Sequence, residues 1–342
     1  MTYFVTGGTG FIGEHLVANL AKRSGDIYLL TYKDAHRLDE IAEKYGIDRK
    51  RLIGLEGDLS QPNLGLDTRH INKLKGKIER FYHLAAIYDI RVAAEAQKKV
   101  NVAGTRNAIQ LAEAIEAGCF NHFSSIAAAG LYKGTFYEDM FEEAKNLNDP
   151  YLQTKHESEG LVRNTCTIPF RIYRPGFVLG HSKTGFIPKV DGPYYLFKLI
   201  QTTRKALPEW VPMVGIQGGY LNCVPVDFIA DAVDHISHKK GLDGKCFHLT
   251  DNNSHAVGDL MNIFAKSAHA PQTVVRVDSG VFGAIPPFMK KSVANFPPVR
   301  RIVDNFLEEL EIPRSALGFI NYPTRYDNHE TQKALKGSGI QV

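Results

Sequence analysis

Tyr151 and Lys155, in the run Tyr151-Leu152-Gln153-Thr154-Lys155, stand four residues apart, and on a helix that spacing puts both side chains on one face. A free tyrosine has a pKa of about 10 and is a poor acid or base at neutral pH, but a nearby ammonium favours the phenolate and brings it into use. The pair is therefore a candidate proton carrier. Far upstream, the first apolar strand ends in Thr6-Gly7-Gly8-Thr9-Gly10-Phe11-Ile12-Gly13. A glycine-rich turn from strand to helix lets backbone approach a pyrophosphate, whose charge then meets the free N–H groups at the helix start. Gly7, Gly10 and Gly13 recur every third residue, which differs from the G-x-G-x-x-G fingerprint. Each feature has a plain alternative, a surface pair in one case and a structural turn in the other. Together they predict hydride transfer between a nicotinamide and a carbonyl or alcohol.

These groups need elements to hold them. Asp149-Pro150 is a helix start directly before Tyr151. Strand-like runs occur at Tyr3-Val5, Ile27-Tyr32, Leu52-Leu55, Arg80-Leu84, His122-Ser124 and Phe170-Tyr173. Helical patterns separate most of them, so the expected fold is α/β, a doubly wound parallel sheet of Rossmann type. Ligands of such sheets bind at the carboxyl ends of the strands, where the glycine turn falls. Beyond Arg174 the alternation fades and Pro, Gly and aromatic residues become frequent. We therefore expect a dinucleotide-binding domain over 1–175 and a smaller C-terminal substrate-binding lobe over 176–342, with chain returning to the sheet around 220–250.

Bulk properties set the class. The chain has 342 residues, 44% hydrophobic and 23% charged, with a net charge of +4, the profile of an ordinary globular protein. The charge is small and dispersed, and no nucleic-acid signature is present. Cys119, Cys166, Cys223 and Cys246 lie far apart, which fits a reducing compartment and no metal site. Met1 leads straight into the first strand, and no apolar run reaches the roughly 20 residues of a membrane span. The expected location is the cytoplasm, peripheral to the membrane if a basic-apolar segment described below makes contact.

Further motifs complete a pattern: Gly57-Asp58-Leu59, His83-Leu84-Ala85-Ala86, Asn101-Val102-Ala103-Gly104-Thr105, Ser124-Ser125-Ile126-Ala127-Ala128-Ala129-Gly130, Arg174-Pro175-Gly176 and Val224-Pro225-Val226-Asp227. In this order and spacing the chain resembles an extended short-chain dehydrogenase/reductase over nearly all of its length. The resemblance implies a catalytic triad of Ser125, Tyr151 and Lys155, with Asn101 as a fourth member or as a residue that caps a helix turn or orders a buried water. Ser125 is preferred to Ser124 because the family's serine stands five residues before the glycine, here Gly130; Ser124 would support the strand end, and the reversed assignment is the alternative. The same resemblance implies a dinucleotide site of Thr6, Gly7, Gly10, Phe11, Ile12, Gly13, Thr31, Lys33, Arg37, Asp58, Leu59, Ala85, Ala86, Lys155, Pro175 and Val178. An acid at the end of the second strand would favour NADH. Here Thr31 leaves space and Lys33 and Arg37 can neutralise a phosphate, with Asp34 the nearest acid, so NADPH is expected.

The middle of the chain addresses the substrate. Leu131-Tyr132, Tyr194-Tyr195-Leu196-Phe197 and Trp210-Val211-Pro212-Met213 suit an acyl chain better than a sugar nucleotide, or else form the core of the lobe. These segments resemble the amino-terminal reductase module of bacterial alcohol-forming fatty acyl-CoA reductases, which implies reduction of long-chain fatty aldehyde to fatty alcohol. Reduction of acyl-CoA to aldehyde and sugar-nucleotide epimerisation or dehydration are the alternatives; a non-catalytic dinucleotide sensor generally lacks the Tyr/Lys pair. The chain stops at Gly337-Ser338-Gly339-Ile340-Gln341-Val342, near where that family continues into a second reductase module, a candidate partner. Residues 281–303 combine apolar Val281-Phe282 and Phe288-Met289 with Lys290-Lys291 and Arg300-Arg301. They suit a membrane surface, a module interface or plain core packing.

Overall fold

Seven short apolar runs become the strands of one parallel sheet: β1 (Tyr3–Thr6), β2 (Ile27–Thr31), β3 (Leu52–Glu56), β4 (Arg80–His83), β5 (Phe120–Phe123), β6 (Phe170–Pro175) and β7 (Cys246–Leu249). The computed structural model describes residues 1–88, 92–188, 194, 196–277 and 322–342. The strand order is β7-β6-β5-β4-β1-β2-β3. The order reverses between β1 and β4, which pair with Thr6 opposite His83, and such a switch point opens a crevice at the carboxyl ends of the strands.

Both faces are covered, so the central strands read as unbroken apolar runs. Helices α1 (Phe11–Ala21), α2 (Arg37–Tyr45), α3 (Thr68–Leu74), α4 (Gly104–Ala114), α5 (Pro150–Thr165), α6 (Val226–His238) and α7 (His329–Leu335) do the covering. Successive strand residues point to opposite faces. Tyr3, Val5, Ile27 and Leu29 join Leu16, Val17, Phe228, Val233 and Leu335 on the α1, α6 and α7 side. Phe4, Tyr28 and Phe81 join Ile109, Leu111 and Val162 on the α4 and α5 side.

β5 begins two residues earlier than its predicted start at His122. Asn121 reads as a turn former, yet its side chain is fully buried and accepts the Tyr173 hydroxyl at 3.0 Å. α5 starts as its sequence predicts: the Asp149 carboxylate accepts the N–H of Tyr151 at 2.9 Å and of Leu152 at 3.3 Å, and Pro150 occupies a position where a missing N–H is harmless.

The sheet belongs to a first compact unit of Met1–Ile187, Val224–Asn252 and Tyr326–Val342. Its three pieces of chain meet at Glu138. That carboxylate accepts the backbone N–H of His248 at 2.8 Å, of Glu330 at 2.5 Å and of Thr331 at 3.1 Å, and the Thr331 hydroxyl at 2.7 Å.

The second unit comprises Pro188–Cys223 and Asn253–Arg325. Its described elements include helices Leu196–Ala206 and Val257–Ser267 and a parallel pair, Met213–Ile216 with Thr273–Val277. Ile200, Ala265 and Ala270 form its small core, with Phe197 and Phe264 against them. The rings of Tyr194 and Phe197 lie 5.0 Å apart, while Trp210 is 81% exposed. The 281–303 segment lies outside the described residues, as do Tyr195 and 191–193. Among the described residues no helix is long and apolar enough to cross a membrane.

Candidate active site

The turn after β1 is built so that three glycines do different work. Gly7 has a φ of +72°, and a Cβ on it would lie 2.7 Å from the backbone N of Ala85, so the turn presses directly on the chain leaving β4. Gly10 donates its N–H to Gly7 O at 3.1 Å and caps α1 in an extended conformation. A Cβ on Gly13 would stand 2.0 Å from Gly7 O and 2.7 Å from Gly8 Cα, so the first turn of α1 seats on the loop itself. The N–H groups of Phe11, Ile12 and Gly13 belong to that first turn, where an α-helix has no internal acceptors for them. Thr6 fixes the other wall: its hydroxyl pairs with His83 Nδ1 at 2.8 Å and accepts from Ala85 N at 3.3 Å. A cradle with no room for side chains, lined by free donors, fits the pyrophosphate of a dinucleotide.

The remaining residues of the expected dinucleotide site fall around this crevice. Thr31 closes β2 with its side chain buried and its hydroxyl donating to Leu55 O at 3.4 Å. Lys33 is exposed, in a left-handed conformation with φ of 59°. Arg37 reaches back to donate to Thr9 O at 3.2 Å, while Asp34 accepts the Thr9 hydroxyl at 2.7 Å and the Tyr32 N–H at 2.8 Å. A cation and an anion thus both hold the glycine loop. Asp58 turns its carboxylate onto Ser60 N at 2.8 Å, and Leu59 O accepts Asn107 Nδ2 at 2.8 Å. Ala86 follows Ala85 beyond β4. Pro175 ends β6, and Val178 packs partly buried on the α1-side core.

Ser125, Tyr151 and Lys155 come from the end of β5 and from α5. Ser125 caps a short 3-10 turn, Ile126–Ala129, by accepting Ala127 N at 3.1 Å. A hydroxyl so engaged keeps its proton for donation. Ser124 differs: its hydroxyl donates to the Glu159 carboxylate at 2.6 Å. Tyr151 sits half-buried in the first turn of α5. Lys155, one turn on and buried, donates from Nζ to Phe123 O at 3.3 Å. Burial pushes its ammonium down from 10.5 to about 8, against the raising pull of Glu159. Asn101 lies in a π-helical stretch, Lys98–Ala103. Its amide accepts Ile87 N at 2.7 Å and donates to Ile87 O at 2.9 Å and Thr154 Oγ1 at 3.2 Å. It braces the chain beyond β4 against α5.

Sequence reading gave no role to two buried groups here. His83 bridges Thr6 and the Thr105 hydroxyl, the latter at 3.0 Å, and burial followed by the Lys155 charge pushes it down to about 3, so it is neutral. Glu159, fully buried on α5, accepts Ser124, Nε and Nη2 of Arg174 at 2.9 and 2.6 Å, and Arg163 at 2.8 Å. Burial alone would raise its carboxyl, but Arg174 overrides that and holds it well below the usual carboxylate range. The available signal was His83 closing an apolar strand and Glu159 standing four residues past Lys155.

Residues 5–233 match the Male sterility protein family, an NAD-binding family. The chain belongs to that family. It is an oxidoreductase of the extended short-chain dehydrogenase/reductase type with an NAD(P)-binding domain. It is 30% identical over 274 residues to a linear gramicidin synthase of Brevibacillus parabrevis, a match covering 75% of this chain and 5% of that protein. It is 26% identical over 272 residues to aldehyde reductase lnbA of Aspergillus flavus, covering 73% of this chain and 26% of that one. The chain thus spans only a small part of these curated relatives. Among solved structures, the terminal R domain from the myxalamid PKS-NRPS pathway shares the fold, with a TM-score of 0.76 at 24% identity over 99% of this chain and 86% of that one. UDP-glucuronic acid 4-epimerase from Bacillus cereus, in complex with NAD, shares it at a TM-score of 0.59 and 21% identity, over 81% and 88%.

Proposed function

We propose that this chain is an NADPH-dependent reductase that converts a long-chain fatty aldehyde to the alcohol, with reduction of an acyl thioester to the aldehyde as the alternative. The observation that carries the reading is the division of labour between the two serines: Ser124 donates its hydrogen bond to Glu159, while among the described residues Ser125 only accepts, from Ala127, and so has a proton to donate to a carbonyl oxygen. NADPH, when bound, supplies the hydride. Tyr151 delivers a proton to the same oxygen, so the carbonyl gains one hydride and one proton. Ser125 hydrogen-bonds that oxygen as charge develops, a contribution that is large in a site shielded from water. Lys155 favours the tyrosinate left behind and holds the ribose.

The choice of NADPH over NADH rests on Arg37 at the glycine loop and on exposed Lys33. The choice of carbonyl draws on the relative named an aldehyde reductase and on the R-domain structure that shares the fold. The long acyl chain is the resemblance's contribution. Of the aromatic residues offered for it, Tyr194 and Phe197 pack within the second unit's own cluster and Trp210 is exposed. The resemblance alone makes a fatty aldehyde the first substrate to test, beside a fatty acyl-CoA and a UDP-sugar. Wild type should oxidise NADPH with the aldehyde. Tyr151→Phe should lose nearly all of that turnover while binding NADPH within a few-fold of wild type. Turnover of the UDP-sugar alone, or full activity in Tyr151→Phe, would overturn the reading.

A further inference from the structure

Tyr151, Lys155 and Glu159 recur at i, i+4 and i+8 and form one stripe along α5, from half-buried to fully buried. The third member is outside the hydride-transfer scheme, yet its carboxylate takes four donors from three places: Ser124 at the end of β5, Nε and Nη2 of Arg174 at the end of β6, and Arg163 on α5 itself. Arg174 is in turn held by His248 Nε2 at 3.0 Å and Met140 O at 2.9 Å. Ser124 is covalently next to Ser125. The end of β5 is thus tied to α5 by two bonds one helical turn apart, Lys155 to Phe123 O and Glu159 to the Ser124 hydroxyl.

We propose that Glu159 is the positioning residue of this site, the group that holds the serine-bearing strand end and the Tyr/Lys helix in a single register. The inference rests on the proposed reductase reading. A second effect follows from its charge. Lys155 is buried, and Glu159 is the charged group that offsets that burial, with Tyr151 one turn away on the same helix face. His83 on β4 and His122 on β5 are held neutral by burial. Arg163 on α5 and Arg174 on β6 are cations. Glu159 supplies the anion that compensates the Lys155 ammonium, and it does so while its own negative charge is satisfied by two guanidinium groups.

Three variants separate positioning from mere structural support. Glu159→Gln keeps an acceptor and removes the charge, so the alkaline limb of kcat should move down by about one pH unit. Glu159→Asp keeps the charge and withdraws the carboxylate from Ser124, so kcat should fall with the limb in place. Ser124→Ala, the mildest change, should lower kcat by roughly tenfold, the worth of one hydrogen bond to a charged group, with dinucleotide affinity unchanged. A folded Glu159→Gln whose limb stays at the wild-type pH overturns the proposal. Should that variant fail to fold, Ser124→Ala decides, and wild-type kcat there overturns it. A wild type that turns over no aldehyde fails the functional reading instead. The limb is then read from dinucleotide binding against pH, which Lys155 also controls.

Discussion

Replacing Lys155 with Met should change how stability depends on pH, by an amount the fold itself sets. Lys155 is 6% exposed, and burial takes its ammonium from 10.5 down to about 8. A fall of that size corresponds to about 3 kcal/mol. Below pH 8 the lysine is protonated in both the folded and the unfolded chain, and the folded state carries the full penalty of a buried cation. As pH rises from about 8 to 10.5, the folded chain releases its proton while the unfolded chain still binds one, so stability rises with pH in that window. Above it both states are neutral. Met has nearly the same length and no proton. The stability advantage of Lys155→Met over wild type should therefore shrink by about 3 kcal/mol between pH 7.5 and 10.5. Groups that Lys155 does not act on are common to both proteins and cancel, and carrying Tyr151→Phe in both backgrounds removes its neighbour on the same helix face. Urea unfolding of the dinucleotide-free proteins at five pH values measures this. Parallel curves, with the difference constant to within about 0.5 kcal/mol, would show that Lys155 is not a buried ammonium.

Two further changes test the cradle. Gly13→Ala sets a methyl 2.0 Å from Gly7 O, so it should destabilise the fold by about 1–3 kcal/mol and abolish dinucleotide binding by calorimetry; Gly10→Ala meets only Gly7 O at 3.3 Å and should bind poorly with its melting temperature nearly intact. Equal thermal stability of the two would refute their separate roles. Replacing Lys33 and Arg37 together with Ala should shift the ratio of Kd values toward NADH by about 1.5–3 kcal/mol per lost charged hydrogen bond, and an unchanged ratio assigns the phosphate to other residues.

The parts of this molecule legible in its sequence are the local ones. A glycine turn between a strand and a helix, and a Tyr/Lys pair one helical turn apart, are fixed by neighbours in the chain, and the apolar runs point to the parallel sheet. The polar scaffold is different. Ser124, Glu159 and Arg174 meet only because β5, α5 and β6 lie side by side, and no periodicity announces that. Asn121 falls outside the expected run His122-Ser124 for the same reason: its partner is the Tyr173 hydroxyl on the neighbouring strand. Asp34 is visible as the nearest acid, but its bond to Thr9 depends on a turn geometry that composition does not encode. In the second unit the described core is small, and such a core leaves a weak hydrophobic pattern to read.

The carboxylate of Glu138 has a consequence for the order in which the chain can be completed. Its partners arrive late: His248 more than a hundred residues after it, Glu330 and Thr331 later still. As the protein emerges from a ribosome, the glycine turn and its first strands can form early, yet this buried acid stays without its full set of N–H donors until α7 emerges. Burial raises its carboxyl above the ordinary value, so an incomplete chain would have either to keep that acid in water or to protonate it. Domains of this length commonly pass through partly packed states. Glu138 makes the last of them wait on α7, and until residue 331 docks a chaperone or protease that samples nascent chains would meet this acid short of its donors.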